Sequence, residues 1–108
     1  MPQIIFKGIN ENTVKKISKE LPRNLAVLTE TQEDWFTVEY MPNRFYFNGE
    51  EASGYPIVNV NWFDRGLEMQ DKVAKEITKV VQNEGYEMVD VIFNLYEKRS
   101  YYENGEHF

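Results

Sequence analysis

The sequence predicts an α+β (α/β) fold in which two β-α-β units form one four-stranded mixed sheet with both helices on one face. Two observations lead to this prediction. Apolar residues switch between the alternating spacing of strands and the spacing of helices, and the same order of elements occurs twice. A chain of 108 residues can bury one substantial core. We therefore expect a single domain, 1–108, built from pseudo-repeats 2–55 and 56–108.

The first half begins with a predicted strand at 2–8, and Asn10 and Asn12 then offer N-cap side chains for a helix. Proline removes a backbone donor and clashes with the preceding turn. Pro22 is therefore expected to kink this helix or to split it near Leu21. The apolar face of the predicted helix consists of Val14, Ile17, Leu21, Leu25 and Leu28.

The remainder of the first half predicts a strand at 35–41 and a short strand at 44–50. The second strand runs into an Asn48-Gly49 turn. In the second half a strand is expected at 56–63, with Val58, Val60 and Trp62 on one face and Asn59 and Asn61 on the other.

A second helix is predicted from Leu67 to about Glu84, and Gly85 suits its C-terminal cap. A strand at 88–96 and a second turn at Asn104-Gly105 complete the order. The two halves correspond at a spacing of about 55 residues: Pro2 with Pro56, Val14 with Val73, Arg44 with Arg99 and Gly49 with Gly105. Many apolar strand residues remain for the open sheet face, so we expect burial of that face against another subunit.

Composition narrows the classes of function. The formal net charge of −6 argues against nucleic acid or an anionic membrane surface as the main partner. The sequence has no cysteine and a single histidine, His107, so we expect no metal site and no other cofactor. No signal-peptide pattern or membrane span is evident, which favours a cytoplasmic location.

Pro2 is the candidate catalytic residue. If Met1 is removed, Pro2 becomes an N-terminal secondary amine that can move protons or attack a carbonyl. Pro56 stands at the matching place in the second half, but its nitrogen is an amide without a basic lone pair. The sequence therefore offers one candidate catalyst per chain, and the proline at this strand start is expected to be partly structural.

The segments MPQIIFKG, PIVNVNWFDRG, QDKVAKEI and YYENGEHF resemble the tautomerase superfamily, which includes macrophage migration inhibitory factor and the oxalocrotonate tautomerases. Within it, the chain most resembles an uncharacterised family known only as a domain of unknown function. The resemblance implies a ring-like homotrimer. It also implies that an N-terminal proline acts as base or nucleophile on a small 2-oxo or unsaturated carboxylic acid.

The resemblance also implies substrate-binding residues. Arg65 lies in the turn after a predicted strand, where the oxalocrotonate tautomerases keep a substrate-binding arginine, although the alignment slips there by one residue. Arg44 could reach the pocket of an adjacent subunit. Both arginines could equally pair with carboxylates, namely Asp64 and Glu39. The further candidates around Pro2 are Trp62 and Tyr102, within an aromatic group that also includes Phe63 and Tyr101.

The sequence departs from the oxalocrotonate pattern near Trp35, where a second substrate arginine is absent. Asp90 occupies the related place in the second half, either as a second acid or base or in a local pair. Two other functions stay open. One is a non-catalytic oligomeric binding or structural protein that keeps the fold. The other is a ferredoxin-like regulatory module with the same number of helices and strands.

Overall fold

The computed structural model describes residues 1–108, which form one four-stranded sheet, two long helices and two small hairpins. The long helices are α1 (Glu11–Thr29) and α2 (Leu67–Gln82), and short 3-10 turns occur at Glu33–Trp35 and Lys98–Ser100. The strands are β1 (Gln3–Lys7), β2 (Thr37–Tyr40), β3 (Phe45–Phe47), β4 (Glu50–Ala52), β5 (Ile57–Phe63), β6 (Asp90–Tyr96), β7 (Tyr102–Glu103) and β8 (Glu106–His107).

The main sheet has the strand order β2-β1-β5-β6. Strands β1 and β2 are parallel neighbours, as are β5 and β6, while β1 and β5 are antiparallel. Each β-α-β unit therefore pairs its own two strands directly, with no strand inserted between them as in the split arrangement of ferredoxin-like domains. The predicted mixed sheet is confirmed, and the ferredoxin-like alternative is wrong.

The core lies between the sheet and the two helices. On β1, Ile4 and Phe6 are fully buried, and on β5 the alternation predicted from the sequence places Val58, Val60 and Trp62 inside. The helices contribute apolar stripes from the same side, although Leu28 of the predicted α1 face is only partly buried. The stripes are Val14, Ile17, Leu21 and Leu25 on α1, and Val73, Ile77, Val80 and Val81 on α2.

Helix α1 runs without interruption through Pro22, so the predicted split near Leu21 is wrong. A proline inside a helix costs about 3 kcal/mol. Leu21 and Leu25, on either side of it, are fully buried, and their packing holds both parts of the helix on the sheet. The helix starts as predicted, because Asn10 is the N-cap and its Oδ1 accepts a hydrogen bond from the N–H of Asn12 at 2.8 Å.

Both Asn-Gly turns close hairpins. Asn48 and Gly49 have φ angles of 52° and 80° between β3 and β4, and Asn104 and Gly105 have 53° and 85° between β7 and β8. Two consecutive positive φ angles are those of a type I′ turn, which matches the twist of paired strands. The segment predicted as one strand at 44–50 is thus the first arm of a hairpin that continues to Ala52.

The sheet face opposite the helices is open in the single chain and is more polar than the sequence suggested. An amide row crosses three strands on this face: Asn94 Nδ2 donates to Asn61 Oδ1 at 2.9 Å, and Asn61 Nδ2 lies 3.5 Å from Gln3 Oε1. Beside this row the exposed fraction of Ile92 is 46%. Neither long helix combines the length and the apolar character needed to cross a membrane.

Candidate active site

Pro2 lies at the start of β1 and is buried. Its carbonyl oxygen accepts a hydrogen bond from the N–H of Thr37 at 3.0 Å, with the hydroxyl of Thr37 at 3.5 Å. Pro56 makes the matching contact in the second half, where its carbonyl oxygen accepts from the N–H of Asp90 at 3.1 Å. Each proline therefore anchors the beginning of a parallel strand pair. Only Pro2 is one peptide bond away from a free amine.

Arg65 follows β5, and because β5 runs antiparallel to β1 this places it at the end of the sheet where Pro2 lies. Its guanidinium Cζ sits 5.7 Å from the ring centroid of Trp62. The pairing with Asp64 considered from the sequence is not formed. Instead, Asp64 Oδ1 accepts a hydrogen bond from the N–H of Gly66 at 2.9 Å. Arg65 is therefore an exposed cation without a carboxylate partner.

The pKa of the Met1 amine shows how burial and nearby charges act at this end of the sheet. Burial lowers the pKa of the Met1 amine below its ordinary value, and the positive charge of Arg65 lowers it further. Both effects disfavour the protonated form, the first by desolvation and the second by like-charge repulsion. The carboxylate of Glu103 acts in the opposite direction. An amine at this place is biased toward the neutral form that a general base requires.

Trp62 contributes a buried ring and an unpaired donor. The side chain is 1% exposed and its ring packs against Phe93, with 5.2 Å between the centroids. The indole Nε1 is buried and has no hydrogen-bond partner. Buried polar atoms in native proteins nearly always have a partner, so this donor calls for an explanation.

Tyr102 lies on β7, in the hairpin that also contains Glu103, and 56% of its surface is exposed. Its hydroxyl accepts a hydrogen bond from the guanidinium of Arg99, whose Cζ is 5.8 Å from the Tyr102 ring centroid. The effect of Glu103 on the terminal amine places this hairpin at the Pro2 end of the sheet. No hydrogen bond joins Tyr102 to Pro2 within the chain.

The aromatic residues predicted around Pro2 do not form one pocket. Trp62 faces the helices, whereas Phe63, its neighbour in β5, faces the open side of the sheet, as alternation along a strand requires. There Phe63 stacks on Phe108 at 5.3 Å and lies 5.1 Å from Tyr101. Tyr96 completes this cluster, and burial raises the pKa of its hydroxyl above the ordinary value.

Arg44 lies at the opposite end of the sheet from Pro2. It lines a cavity of about 360 Å³ near the end of β1, together with Tyr40, Tyr86 and Glu51. The length of β1 separates this cavity from Pro2 of the same chain. Arg44 forms no ion pair with Glu39 or any other carboxylate. Within one chain, therefore, Arg65 and Trp62 are grouped at the Pro2 end, and Arg44 is not.

Asp90 shares that distant end, at the start of β6. Its carboxylate lies near the hydroxyl of Tyr55 and raises the pKa of that tyrosine. The structure thus gives Asp90 a local partner, and the length of β5 separates it from Pro2 of the same chain.

Sequence reasoning missed two residues of the Pro2 end: Arg99, in the 3-10 turn after β6, and Glu103, in the second hairpin. The repeat could have indicated Arg99, because it lies 55 residues after Arg44 and occupies the matching position in the second half. The effect of Glu103 on the terminal amine depends on how the hairpin folds back, and the sequence pattern did not indicate it.

Solved structures identify the fold. A macrophage migration inhibitory factor-like protein from Entamoeba histolytica superposes with a TM-score of 0.74 at 11% identity, covering 99% of this chain and 98% of that one. A fused 4-OT, described as an asymmetric trimer, gives a TM-score of 0.79 at 7% identity, covering 97% and 94%. The chain therefore has the fold of the tautomerase and macrophage migration inhibitory factor superfamily.

Sequence comparison identifies the family. No curated protein matches the chain. A domain of unknown function from Sebaldella termitidis is 35% identical, with a TM-score of 0.93 and complete coverage of both chains. The family model described as Domain of unknown function (DUF1904) matches residues 1–107. The chain belongs to the DUF1904 family.

Proposed function

We propose that this protein is a tautomerase-like enzyme that moves a proton on a small 2-oxo or unsaturated carboxylic acid. Pro2, freed by removal of Met1, is the base. Arg65 binds the substrate carboxylate. Arg44, Tyr102 and Trp62 are the further substrate-binding residues proposed here, and of these only Trp62 adjoins Pro2 and Arg65 within one chain.

The observation that supports this function most directly is the position of Arg65. Its guanidinium forms no ion pair and lies close enough to the chain terminus to lower the pKa of the amine. One cation then has two uses: it favours the neutral amine, and it offers paired N–H donors to a carboxylate. Enolisation of an oxo acid requires at least a base that removes the proton and a group that binds the carboxylate, and both are present at this strand end.

In the proposed reaction the amine of Pro2 carries one proton from a substrate carbon to a second substrate atom. The neutral nitrogen removes a proton from the carbon next to the carbonyl, and negative charge builds on the carbonyl oxygen. The proline ring fixes the direction of the lone pair, so the same nitrogen can return the proton to a second carbon of an unsaturated acid or to the enolate oxygen of a simple 2-oxo acid. Pro56 cannot substitute, because its nitrogen is an amide.

We also propose a homotrimer, in which the open sheet face and the Arg44 cavity meet neighbouring copies. The trimer named for the fused 4-OT supports this proposal, as do the exposed apolar side chains of the β3–β4 hairpin. Tyr46 and Phe47 of that hairpin are 65% and 79% exposed. Light scattering should give the mass of three chains, whereas the mass of one or two would contradict the trimer. The division of the chain into two pseudo-repeats and its cytoplasmic location remain predictions.

A second candidate function is a non-catalytic oligomeric binding or structural protein. The matching contacts of Pro2 and Pro56 favour it, because both carbonyl oxygens anchor a strand pair in the same way. A proline at this point thus has a structural use that needs no free amine.

The deciding experiment is intact-mass spectrometry of protein from its native host, before and after treatment with 3-bromopyruvate. The tautomerase proposal expects a mass without Met1 and one adduct per chain, formed when the Pro2 nitrogen displaces bromide and loses its proton. The Pro2→Ala variant should form no adduct at the terminus under the same conditions. Retained Met1, or an unmodified terminus, would favour the non-catalytic candidate.

A further inference from the structure

The indole N–H of Trp62 is a buried donor without a partner. Nε1 has no hydrogen-bond partner, and the whole side chain is 1% exposed. A buried donor left unpaired weakens the folded state, and a phenylalanine would fill much of the same space without that cost. Tryptophan N–H groups usually find a partner when they are buried.

Three features place the Trp62 side chain beside the proposed site. Gln3 of β1 pairs with Asn61 of β5, so one further step sets Pro2 opposite Trp62. Both residues are buried on the helix side of the sheet, where opposite side chains of antiparallel strands are neighbours. The guanidinium of Arg65 covers the face of the Trp62 ring at 5.7 Å. An unused donor, a cation and the candidate base thus share one strand end.

We propose that the Trp62 N–H donates a hydrogen bond to the 2-oxo oxygen of the bound substrate, while Arg65 holds the carboxylate. This inference rests on the proposed function and narrows its substrate class to 2-oxo acids. When Pro2 removes a proton from the neighbouring carbon, the 2-oxo oxygen gains negative charge. A fixed N–H in a dry site stabilises that charge more effectively than water does.

The same geometry predicts a preference for acids with a 2-oxo oxygen over analogues that lack it. A buried site that hydrogen-bonds a substrate oxygen discriminates against an analogue that lacks it, because the donor is then left unpaired. Met1 directly precedes Pro2, and its amine is partly buried beside Arg65. Nε1 is buried while Met1 is present. The proposal therefore requires that removal of Met1 give the substrate access to this donor.

The test is nuclear magnetic resonance of processed, ¹⁵N-labelled protein. The sequence contains two tryptophans, so the Trp35→Phe variant leaves one indole signal and assigns it to Trp62. Phenylpyruvate should move this proton signal downfield in a saturable way. 3-Phenylpropionate, which lacks the 2-oxo oxygen, should leave it near its free position. A signal already at a hydrogen-bonded position, and unmoved by phenylpyruvate, would assign the partner to bound water and overturn the proposal.

The Trp62→Phe variant provides the affinity measurement, with Trp35→Phe as its matched control. It should bind phenylpyruvate about tenfold more weakly than the control, with little change for 3-phenylpropionate. An unchanged preference for phenylpyruvate would overturn the inference, and the signal of Trp62 in the control protein tests it even if Trp62→Phe does not fold. Alkylation of Pro2 by 3-bromopyruvate, measured on the unsubstituted protein, tests the proposed function separately.

Discussion

The N–H of Thr37 donates a hydrogen bond to the carbonyl oxygen of Pro2 at 3.0 Å, and this contact fixes the residue that would become the N-terminus. The bond uses the carbonyl group and leaves the nitrogen uninvolved. Cleavage before Pro2 would therefore free an amine on a strand whose position is already determined. Preorganisation of this kind favours proton transfer, because little motion is needed once the substrate is bound.

Replacing Arg65 by alanine should lower kcat/KM for phenylpyruvate enolisation roughly 100-fold, as expected for loss of a charged hydrogen bond to the substrate. Steady-state ultraviolet absorbance measures this rate. Arg23→Ala is the matched control, because Arg23 is an exposed arginine of α1 that also lacks an ion pair. Equal rates for the two variants would remove Arg65 from the site.

The pH dependence of kcat/KM should follow the terminal amine. Only the neutral amine is a base, so the rate should rise with pH through the pKa of the amine and then reach a plateau. Burial and the charge of Arg65 lower the pKa of the Met1 amine, and we expect both effects on the Pro2 amine of the processed chain. The rise should therefore occur below the ordinary range of an α-amine.

The Glu103→Gln variant should move this rise to lower pH, because the carboxylate of Glu103 raises the pKa of the amine. Glu106→Gln is its control, since Glu106 pairs with Glu103 across the same hairpin, whereas the charges that shift the pKa of the terminal amine are those of Arg65 and Glu103. A rise that stays in place for Glu103→Gln, or moves to higher pH, would contradict the electrostatic account of the site.

Leu21→Ala should lower the free energy of unfolding by about 2–5 kcal/mol, because Leu21 is fully buried beside Pro22. Val27→Ala on the same helix is the control, since Val27 is 76% exposed and should change the free energy by less than about 0.5 kcal/mol. Urea denaturation followed by circular dichroism compares the two. A small loss for Leu21→Ala would mean that packing does not hold α1 together across Pro22.

Gly54→Ala should destabilise the first hairpin. A Cβ added at Gly54 would lie 1.9 Å from the ring of Phe45, so the ring must move. Overpacking of this kind costs about 1–3 kcal/mol, which thermal denaturation can detect. Ser53→Ala, at an exposed neighbour, should leave the melting temperature nearly unchanged. Equal melting temperatures for both variants would show that Phe45 has room to move.

Much of the fold could be predicted because the local patterns are strong. Helix α2 begins at Leu67 as predicted, and its apolar stripe faces the core. The Asn-Gly pairs specify their turns through positive φ angles that few other residues adopt as easily. Of the two outcomes predicted at Pro22, a kink or a split, the split is wrong, because the buried leucines on both sides hold the helix together through tertiary packing.

The β-α-β order and the two hairpins could be predicted from the sequence alone, as could the candidacy of Pro2 and Arg65. Which of the candidate residues lie close together depends on the tertiary structure. The antiparallel pairing of β1 with β5 brings Arg65 and Trp62 to Pro2 and leaves Arg44 at the far end. The spacing of apolar residues along the chain indicates where helices and strands form. Which distant residues come close depends on strand direction and register, and these are selected by packing and backbone hydrogen bonds.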